Sequence, residues 1–246
     1  MLLLDASHPD DPAFDLAVSH AVLRRVGDGA LGPVARVFRP GPTMAFGRLD
    51  SLRPGYPAAR EAARWHRFAP MLRLGGGHAA GYDQGSVVVE VTTPQPVIAE
   101  GIVERFSEGS VLLVHALGAV GVQAAVGELT GEYCPGRWSV HAGGVKVGGT
   151  AQRTIRGASL MAAVVLVQGG DRLREALVDV YDALAIDWDP QTAGAAEDLT
   201  PGVTADAVGA AVVAELERAH GPLTRGELDE ETLALARTLV DGHRGD

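Results

Sequence analysis

Apolar residues three and four positions apart predict an amphipathic helix near the start of the chain. Asp11 and Pro12 suit the N-cap and the first helical position, and Gly27 and Gly29 are expected to end the helix. One helical face then carries Phe14, Ala17, Val18, Ala21 and Val22. This face predicts packing of the helix against the core.

The same periodicity predicts further helices over residues 57–65, 98–117, 172–185, 204–220 and 228–240. In the helix over residues 98–117, the expected buried face is Ile98, Ile102, Phe106, Leu113 and Leu117. Runs of β-branched and apolar residues predict strands over residues 34–38, 43–46, 71–74, 86–91, 139–141, 145–148 and 159–168. Strands and helices do not alternate regularly, which favours an α+β fold, a mixed sheet with flanking helices, over a doubly wound sheet.

A connection rich in Pro and Ala, over residues 187–201, precedes the last two predicted helices. We therefore expect a main domain over residues 1–186. A helical extension over residues 187–246 is expected to pack on this same domain. At 246 residues the chain is long enough to bury a large core.

The composition narrows the class of protein. With 46% hydrophobic and 21% charged residues, a globular protein is expected, and a net charge of -10 disfavours nucleic acid as a partner. One cysteine excludes an internal disulfide and fits the reducing cytoplasm. The start of the chain has no basic region, and the longest apolar run, residues 160–167, is too short to cross a membrane.

Two residues that occur once each indicate where chemistry lies. Lys146 is the single lysine, against 20 arginines, and Cys134 is the single cysteine. Because this chain uses arginine wherever a plain positive charge suffices, the lysine indicates a task that needs a compact ammonium. Cys134 precedes a Pro-Gly turn, and a nearby ammonium would favour its reactive thiolate. The alternative is a cysteine that only fills space in the core.

A second candidate is the glycine-rich turn that follows Arg73. The glycines at 75, 76 and 77 allow a ligand to approach the backbone closely, and their N–H groups can face a polarised oxygen. A simple turn between two strands would explain the glycines equally well. The histidines, among them His78, His115 and His141, are too widely spaced for a metal site, so none is expected.

These two stretches resemble the lipoate-protein ligase and octanoyltransferase family. Residues 73–85 are similar to its acyl-binding loop, and the stretch Lys146-Val-Gly-Gly-Thr-Ala-Gln152 is similar to its Lys-Val-x-Gly-x-Ala motif. The resemblance implies a class II biotin/lipoate ligase-like catalytic domain over residues 1–186. It also implies acyl-binding roles for Arg73, Gly75, Gly76, Gly77, His78, Tyr82, Asp83, Gly149, Thr150, Ala151 and Gln152. The chain departs from the family pattern at Gly75, His78 and Tyr82.

The stretch Tyr133-Cys134-Pro135-Gly136 resembles the cysteine-dependent octanoyl-protein amidotransferase branch. That branch implies catalytic roles for Cys134 and Lys146, and transfer of an octanoyl or lipoyl group through a cysteine thioester. The alternatives are an ATP-dependent lipoate or octanoate ligase and a non-catalytic family member that binds an acyl ligand or a carrier domain. Only the ligase would require ATP and Mg²⁺; the transferase is expected to require no cofactor.

The implied partners are lipoyl-domain proteins, namely the glycine-cleavage H protein and the acyltransferase subunits of 2-oxoacid dehydrogenases. Lipoyl domains are usually acidic, so docking on a chain of net charge -10 needs a local basic patch. The candidate residues for this patch are Arg36, Arg39, Arg48 and Arg53.

Overall fold

A computed structural model describes residues 1–245 of the chain. In chain order its strands are β1 (Leu2–Leu4), β2 (Val34–Phe38), β3 (Thr43–Phe46), β4 (Ala69–Leu72), β5 (Ala80–Tyr82), β6 (Ser86–Gln95), β7 (Ala125–Val126), β8 (Val140–Ala142), β9 (Val145–Ile155), β10 (Gly157–Leu166) and β11 (Thr224–Arg225). Its helices are α1 (Pro12–Gly27), α2 (Tyr56–Trp65), α3 (Ile102–Ala119), α4 (Gly170–Ala183), α5 (Ala205–His220), α6 (Glu230–Leu239) and α7 (Asp241–Arg244).

The strands form two mixed sheets. The main sheet has the order β11-β1-β2-β6-β10-β9-β8-β7, and a smaller sheet has the order β4-β3-β5. The β1 strand is parallel to both of its neighbours, whereas the long central strands β6, β10 and β9 pair antiparallel. The predicted α+β class, a mixed sheet with flanking helices, is therefore confirmed.

Alternation along β10 explains how the main sheet is covered on both faces. Ala158 and Leu160 pack with α1 and α6, whereas Met161, Ala163 and Val165 pack with α3 and α5. Because successive side chains of a strand point to opposite faces, one apolar strand serves two cores. A third apolar cluster joins the small sheet to α2 and α4.

The first helix is confirmed with its predicted cap, since the Asp11 carboxylate accepts a hydrogen bond of 3.2 Å from the backbone N–H of Phe14. The predicted helix over residues 98–117 instead begins at Ile102, after Gly101 with a φ of 70°. Its predicted buried face is wrong at Ile98 and Ile102, which are 52% and 41% exposed. Left-handed backbone at Gly101 separates Ile98 from the helix, and Ile102 lies in the exposed first turn of α3.

The segment after residue 186 contributes to the same cores. Ala193, Ala195 and Ala196 are fully buried, and β11 extends the edge of the main sheet beside β1. The predicted division at residue 186 stays a prediction. Among residues 1–245, no helix is both long and apolar enough to span a lipid bilayer.

Candidate active site

A buried tyrosine fixes the loop that carries Cys134. The cysteine adopts a left-handed backbone conformation with a φ of 43°, which is costly for a residue other than glycine. Its N–H donates a hydrogen bond of 2.7 Å to the Tyr181 hydroxyl of α4, and this hydroxyl donates to the Ala79 carbonyl at 2.9 Å. Since burial raises the pKa of Tyr181, the hydroxyl stays neutral and can donate this bond.

Lys146 and the Cys134 loop converge. The lysine projects from β9 and is 4% exposed. Its Nζ donates to the carbonyl of Cys134 at 2.7 Å, to the carbonyl of Tyr133 at 3.0 Å and to Glu132 Oε1 at 3.2 Å. Three oxygens around one point suit a compact ammonium with three donors better than a planar guanidinium.

Glu132 is a site residue that the sequence reasoning missed. Its side chain is fully buried, and it forms an ion pair with Lys146. The same carboxylate oxygen accepts hydrogen bonds from the Ser139 hydroxyl at 2.5 Å and from the Gly136 N–H at 3.1 Å. Two points of the loop after Cys134 are thus tied to one buried carboxylate.

The glycine-rich turn lies against the cysteine sulfur. Arg73 Nη2 donates to the His78 carbonyl at 2.7 Å and approaches Cys134 Sγ at 3.4 Å. Burial works to lower the pKa of Arg73, but the neighbouring Cys134 raises it, and the net shift is upward. The guanidinium therefore links the glycine-rich turn to the cysteine sulfur.

Two of the glycines are required by close contacts. Gly77 has a φ of 93°, and a Cβ on it would lie 2.6 Å from Arg73 Nη2 and 2.7 Å from Cys134 Sγ. A Cβ on Gly75 would lie 2.7 Å from the Cβ of Ala151 on β9. The turn can therefore approach both the sulfur and the sheet only because these side chains are absent.

A cavity of about 510 Å³ extends inward from Cys134. The strands β9 and β10 contribute apolar and small residues to its wall, and Phe106 and Trp138 stack beside it with ring centroids 6.4 Å apart. The predicted acyl-binding residues among those that line it are Arg73, Gly75, Gly76, Gly77, Tyr82, Gly149, Thr150, Ala151 and Gln152. Mostly apolar walls with few polar groups are typical of a site for an apolar ligand.

Two predicted acyl-binding residues do not line this cavity. His78 Nδ1 pairs with Asp50 Oδ1 at 2.7 Å, and the carboxylate of Asp83 accepts from the Gly85 N–H at 2.9 Å and from Arg172 Nη1 at 2.7 Å. Both side chains stabilise the turns that flank β5. Gln152 lines the cavity, but its amide also bonds the Ile102 carbonyl and Arg105.

The predicted basic docking patch is wrong at Arg36. This residue is 2% exposed and forms ion pairs with Asp15 and Glu90, so no partner protein can reach it. Arg39 bonds the Gln84 carbonyl and Asp206 at the surface. Within residues 1–245, no group of three or more His, Cys, Asp or Glu side chains is arranged to hold a metal ion.

Residues 11–216 match the family model described as the lipoyl protein ligase A/B catalytic domain. The chain belongs to this family. Among curated relatives, the octanoyl-[GcvH]:protein N-octanoyltransferase of Geobacillus kaustophilus (strain HTA426) is 27% identical over 241 residues, which cover 96% of this chain and 81% of the relative. The octanoyl-[GcvH]:protein N-octanoyltransferase of Anoxybacillus flavithermus (strain DSM 21510 / WK1) is 28% identical over 162 residues, 64% of this chain and 58% of the relative.

Among solved structures, a lipoate-protein ligase A bound with ATP superposes with a TM-score of 0.80 at 21% identity, covering 99% of this chain and 95% of that one. At this level of identity the likeness concerns the fold. The family resemblance drawn from residues 73–85 and 146–152 is confirmed, as is the class II ligase-like fold that it implied.

Proposed function

We propose that the protein is an acyltransferase that moves an octanoyl or lipoyl group from one lipoyl-domain protein to a lysine of another through a thioester on Cys134. The observation that carries this proposal is the position of Cys134 Sγ, 3.4 Å from the Arg73 guanidinium at the mouth of an apolar cavity. Relatives named octanoyl-[GcvH]:protein N-octanoyltransferase support the same reaction class. The partners would be the glycine-cleavage H protein and the acyltransferase subunits of 2-oxoacid dehydrogenases.

In the first half-reaction, the Cys134 thiolate attacks the carbonyl carbon of the acylated donor lysine. The C–S bond forms, the C–N bond breaks, and the donor amine leaves after it takes up a proton from solvent. Arg73, with its guanidinium 3.4 Å from the sulfur, helps to position this nucleophile. Lys146 holds the loop and adds positive charge where the carbonyl oxygen becomes negative.

In the second half-reaction, the amine of the acceptor lysine attacks the thioester carbonyl. The C–N bond forms, the C–S bond breaks, the acceptor nitrogen gives up a proton to solvent, and the thiolate is restored. Because one amide replaces another, the overall exchange needs no ATP and no cofactor. A thiol that must stay reduced between turnovers suits the cytoplasm.

The runner-up is an ATP-dependent lipoate or octanoate ligase, in which Cys134 would only pack. The curated relatives named octanoyl-[GcvH]:protein N-octanoyltransferase favour the transferase over this ligase.

Intact-mass spectrometry of the protein mixed with an octanoylated lipoyl-domain donor, without ATP, tests the proposal. We expect an octanoyl adduct that maps to Cys134, disappears when an acceptor domain is added, and is absent in Cys134→Ser. If the acceptor is acylated only when ATP and free octanoate or lipoate are supplied, the ligase replaces the transferase. If neither condition yields acylation, the protein is a binding member of the family.

A further inference from the structure

The cavity ends on polar side chains although its walls are apolar. Gly76, Gly77 and Pro135 are exposed at its mouth. At the opposite end lie Ser19 and Glu90, which are 3% and 6% exposed. An apolar ligand that enters beside Cys134 therefore meets a hydroxyl and a carboxyl group when it reaches the buried end.

These two residues belong to a buried cluster held by one arginine. Arg36 Nη1 donates to Ser19 Oγ at 2.6 Å and to Glu90 Oε2 at 3.0 Å, and its Nη2 donates to Asp15 Oδ1 at 3.1 Å. The Ser19 hydroxyl lies 2.8 Å from both oxygens of Glu90. Burial raises the pKa of Glu90 and of Asp15, and Arg36 opposes both shifts. With its polar groups bonded to one another, the cluster is a fixed wall.

The strand register gives the distance from the mouth to this wall. Gly75 lies against Ala151 of β9. Across the sheet, Ala151 pairs with Ala162 of β10, and Ala162 pairs with Glu90 of β6. Ala151 and Glu90 are thus two strand spacings apart, which is about 10 Å. An extended octanoyl chain, with its carbonyl beside the glycine turn, spans a similar distance. The small side chains of Ala151 and Ala162 leave the path between them open.

A longer chain could not advance by displacing the wall. Each further methylene gains only its own apolar burial, whereas a separated buried ion pair leaves charges without partners and without water. The cluster therefore excludes longer chains. A cavity with a purely apolar buried end would accept them, because its side chains could rearrange around them.

We propose that Ser19 and Glu90, held in place by Arg36, determine specificity by limiting the acyl chain to the length of octanoyl or lipoyl and excluding long-chain fatty acyl groups. This inference rests on the proposed transferase function and names the residues that set the acyl-chain length at the same site.

Competition between octanoyl and dodecanoyl lipoyl-domain donors tests the limit, with the rate of adduct formation on Cys134 as the readout. We expect the wild type to favour octanoyl by about a hundredfold. Glu90→Ala removes the carboxylate part of the wall but leaves Arg36 paired with Asp15 and bonded to Ser19, so this preference should fall by about tenfold or more. Thr92→Ala is the matched control, since Thr92 is buried on the same strand outside the cavity lining. It should keep the wild-type ratio.

Ala162→Leu tests the same path without touching the cluster. A leucine midway along the row should shift the preference from octanoyl to hexanoyl or shorter chains. Folding of each variant is checked by circular dichroism. An unchanged ratio in folded Glu90→Ala, or an unchanged length preference in Ala162→Leu, would overturn the inference.

A second readout separates this inference from the proposed function. The thermal stabilisation given by free octanoate and by free dodecanoate is measured for each protein, because it needs binding but no transfer. If no donor acylates Cys134, the transferase fails. The length limit can then still be tested. It predicts that octanoate but not dodecanoate stabilises the wild type, and that both stabilise Glu90→Ala; any other result contradicts it.

Discussion

At the scale of single residues, neighbouring glycines of one turn have different roles. Gly77 has a left-handed backbone, and an added methyl group would collide with Arg73 Nη2 and Cys134 Sγ. Gly77→Ala is therefore expected to displace the sulfur and slow octanoyl transfer to Cys134 by about a hundredfold. The measurement is the rate of thioester formation by intact-mass spectrometry.

Gly76→Ala is the matched control, because a methyl group added to Gly76 would point into open space, with no atom beyond its chain neighbours within 4 Å. Thioester formation should remain within about twofold of the wild-type rate. Equal losses in both variants would mean that the turn needs general flexibility and that the contact with the sulfur is not what requires Gly77.

The buried pair of Lys146 and Glu132 predicts a stability effect. In Lys146→Met the carboxylate of Glu132 stays buried without its cation, which is expected to cost about 3–5 kcal/mol of the free energy of unfolding. In the double variant Lys146→Met/Glu132→Gln, a neutral amide replaces that charge, so part of the loss should be recovered. Urea unfolding of both variants provides the measurement.

An exposed pair provides the comparison. The side chains of Arg237 and Glu230 are 57% and 75% exposed, so Arg237→Met should change the free energy of unfolding by less than about 1 kcal/mol. If Lys146→Met proves as mild as this surface variant, the lysine is not the centre of a buried network.

Part of the site could be predicted from the sequence because two of its residues are the only ones of their type. Cys134 and Lys146 each occur once in the chain, so the sequence itself sets them apart. Glu132 is one of 31 acidic residues, and nothing in its neighbourhood marks it as buried. Tyr181 bonds the Cys134 N–H across 47 positions, and only the packing of α4 on the small sheet brings the two together.

At the scale of elements, a histidine pair joins the first helix to the last. His20 Nδ1 of α1 lies 3.3 Å from His243 Nε2 of α7, and His243 Nδ1 lies 2.8 Å from the Leu72 carbonyl. Burial lowers the pKa of both, that of His20 from 6.5 to about 4. Both rings therefore stay neutral in the folded protein near neutral pH.

This pair predicts a loss of stability in mild acid. Between the unfolded pKa of 6.5 and the folded pKa of about 4 for His20, the unfolded chain binds more protons, so stability falls as the pH is lowered. Because His20 is only half-buried, we expect a contribution of about 1 kcal/mol between pH 7 and pH 5. His20→Gln should show a correspondingly smaller loss in urea unfolding at the two pH values.

His220→Gln, at an exposed position on α5, is the control and should keep the wild-type pH dependence. If His20→Gln also keeps it, the α1–α7 contact does not link protonation to folding.

Element boundaries followed from sequence where one periodicity ran without interruption, as in α1. The predicted boundaries were wrong where glycine interrupts the periodicity. The predicted strand over residues 145–148 continues to Ile155, because the pairing of β9 with β10 outweighs the low strand propensity of two central glycines. The short strand β5 was missed for the same reason, since Gly81 interrupts a three-residue strand. The three-residue strand β1 was also missed; it has too few residues for a pattern.

At the scale of the whole molecule, residues on both sides of the predicted boundary at residue 186 share one apolar cluster. Val208, Val212 and Leu216 of α5 lie in one apolar cluster with Leu113 and Leu117 of α3. Ala193 forms an isolated β-bridge with Lys146, so the segment after residue 186 also adjoins the candidate site. Composition alone could identify a connection over residues 187–201, but not which surface it covers.

These contacts predict that the chain unfolds as one unit. Leu216 is fully buried on α5, so Leu216→Ala should lower the free energy of unfolding by about 2–5 kcal/mol. If the whole chain unfolds cooperatively, Leu216→Ala should lower two urea midpoints by the same amount. One is measured by far-ultraviolet circular dichroism, and the other by accessibility of the Cys134 thiol. The exposed Glu217→Ala on the same helix should shift neither signal. If Leu216→Ala instead loses the helical signal at a urea concentration where the thiol is still protected, residues 187–246 form a separate extension. In that case α5 can unfold without disturbing the loop that holds the cysteine.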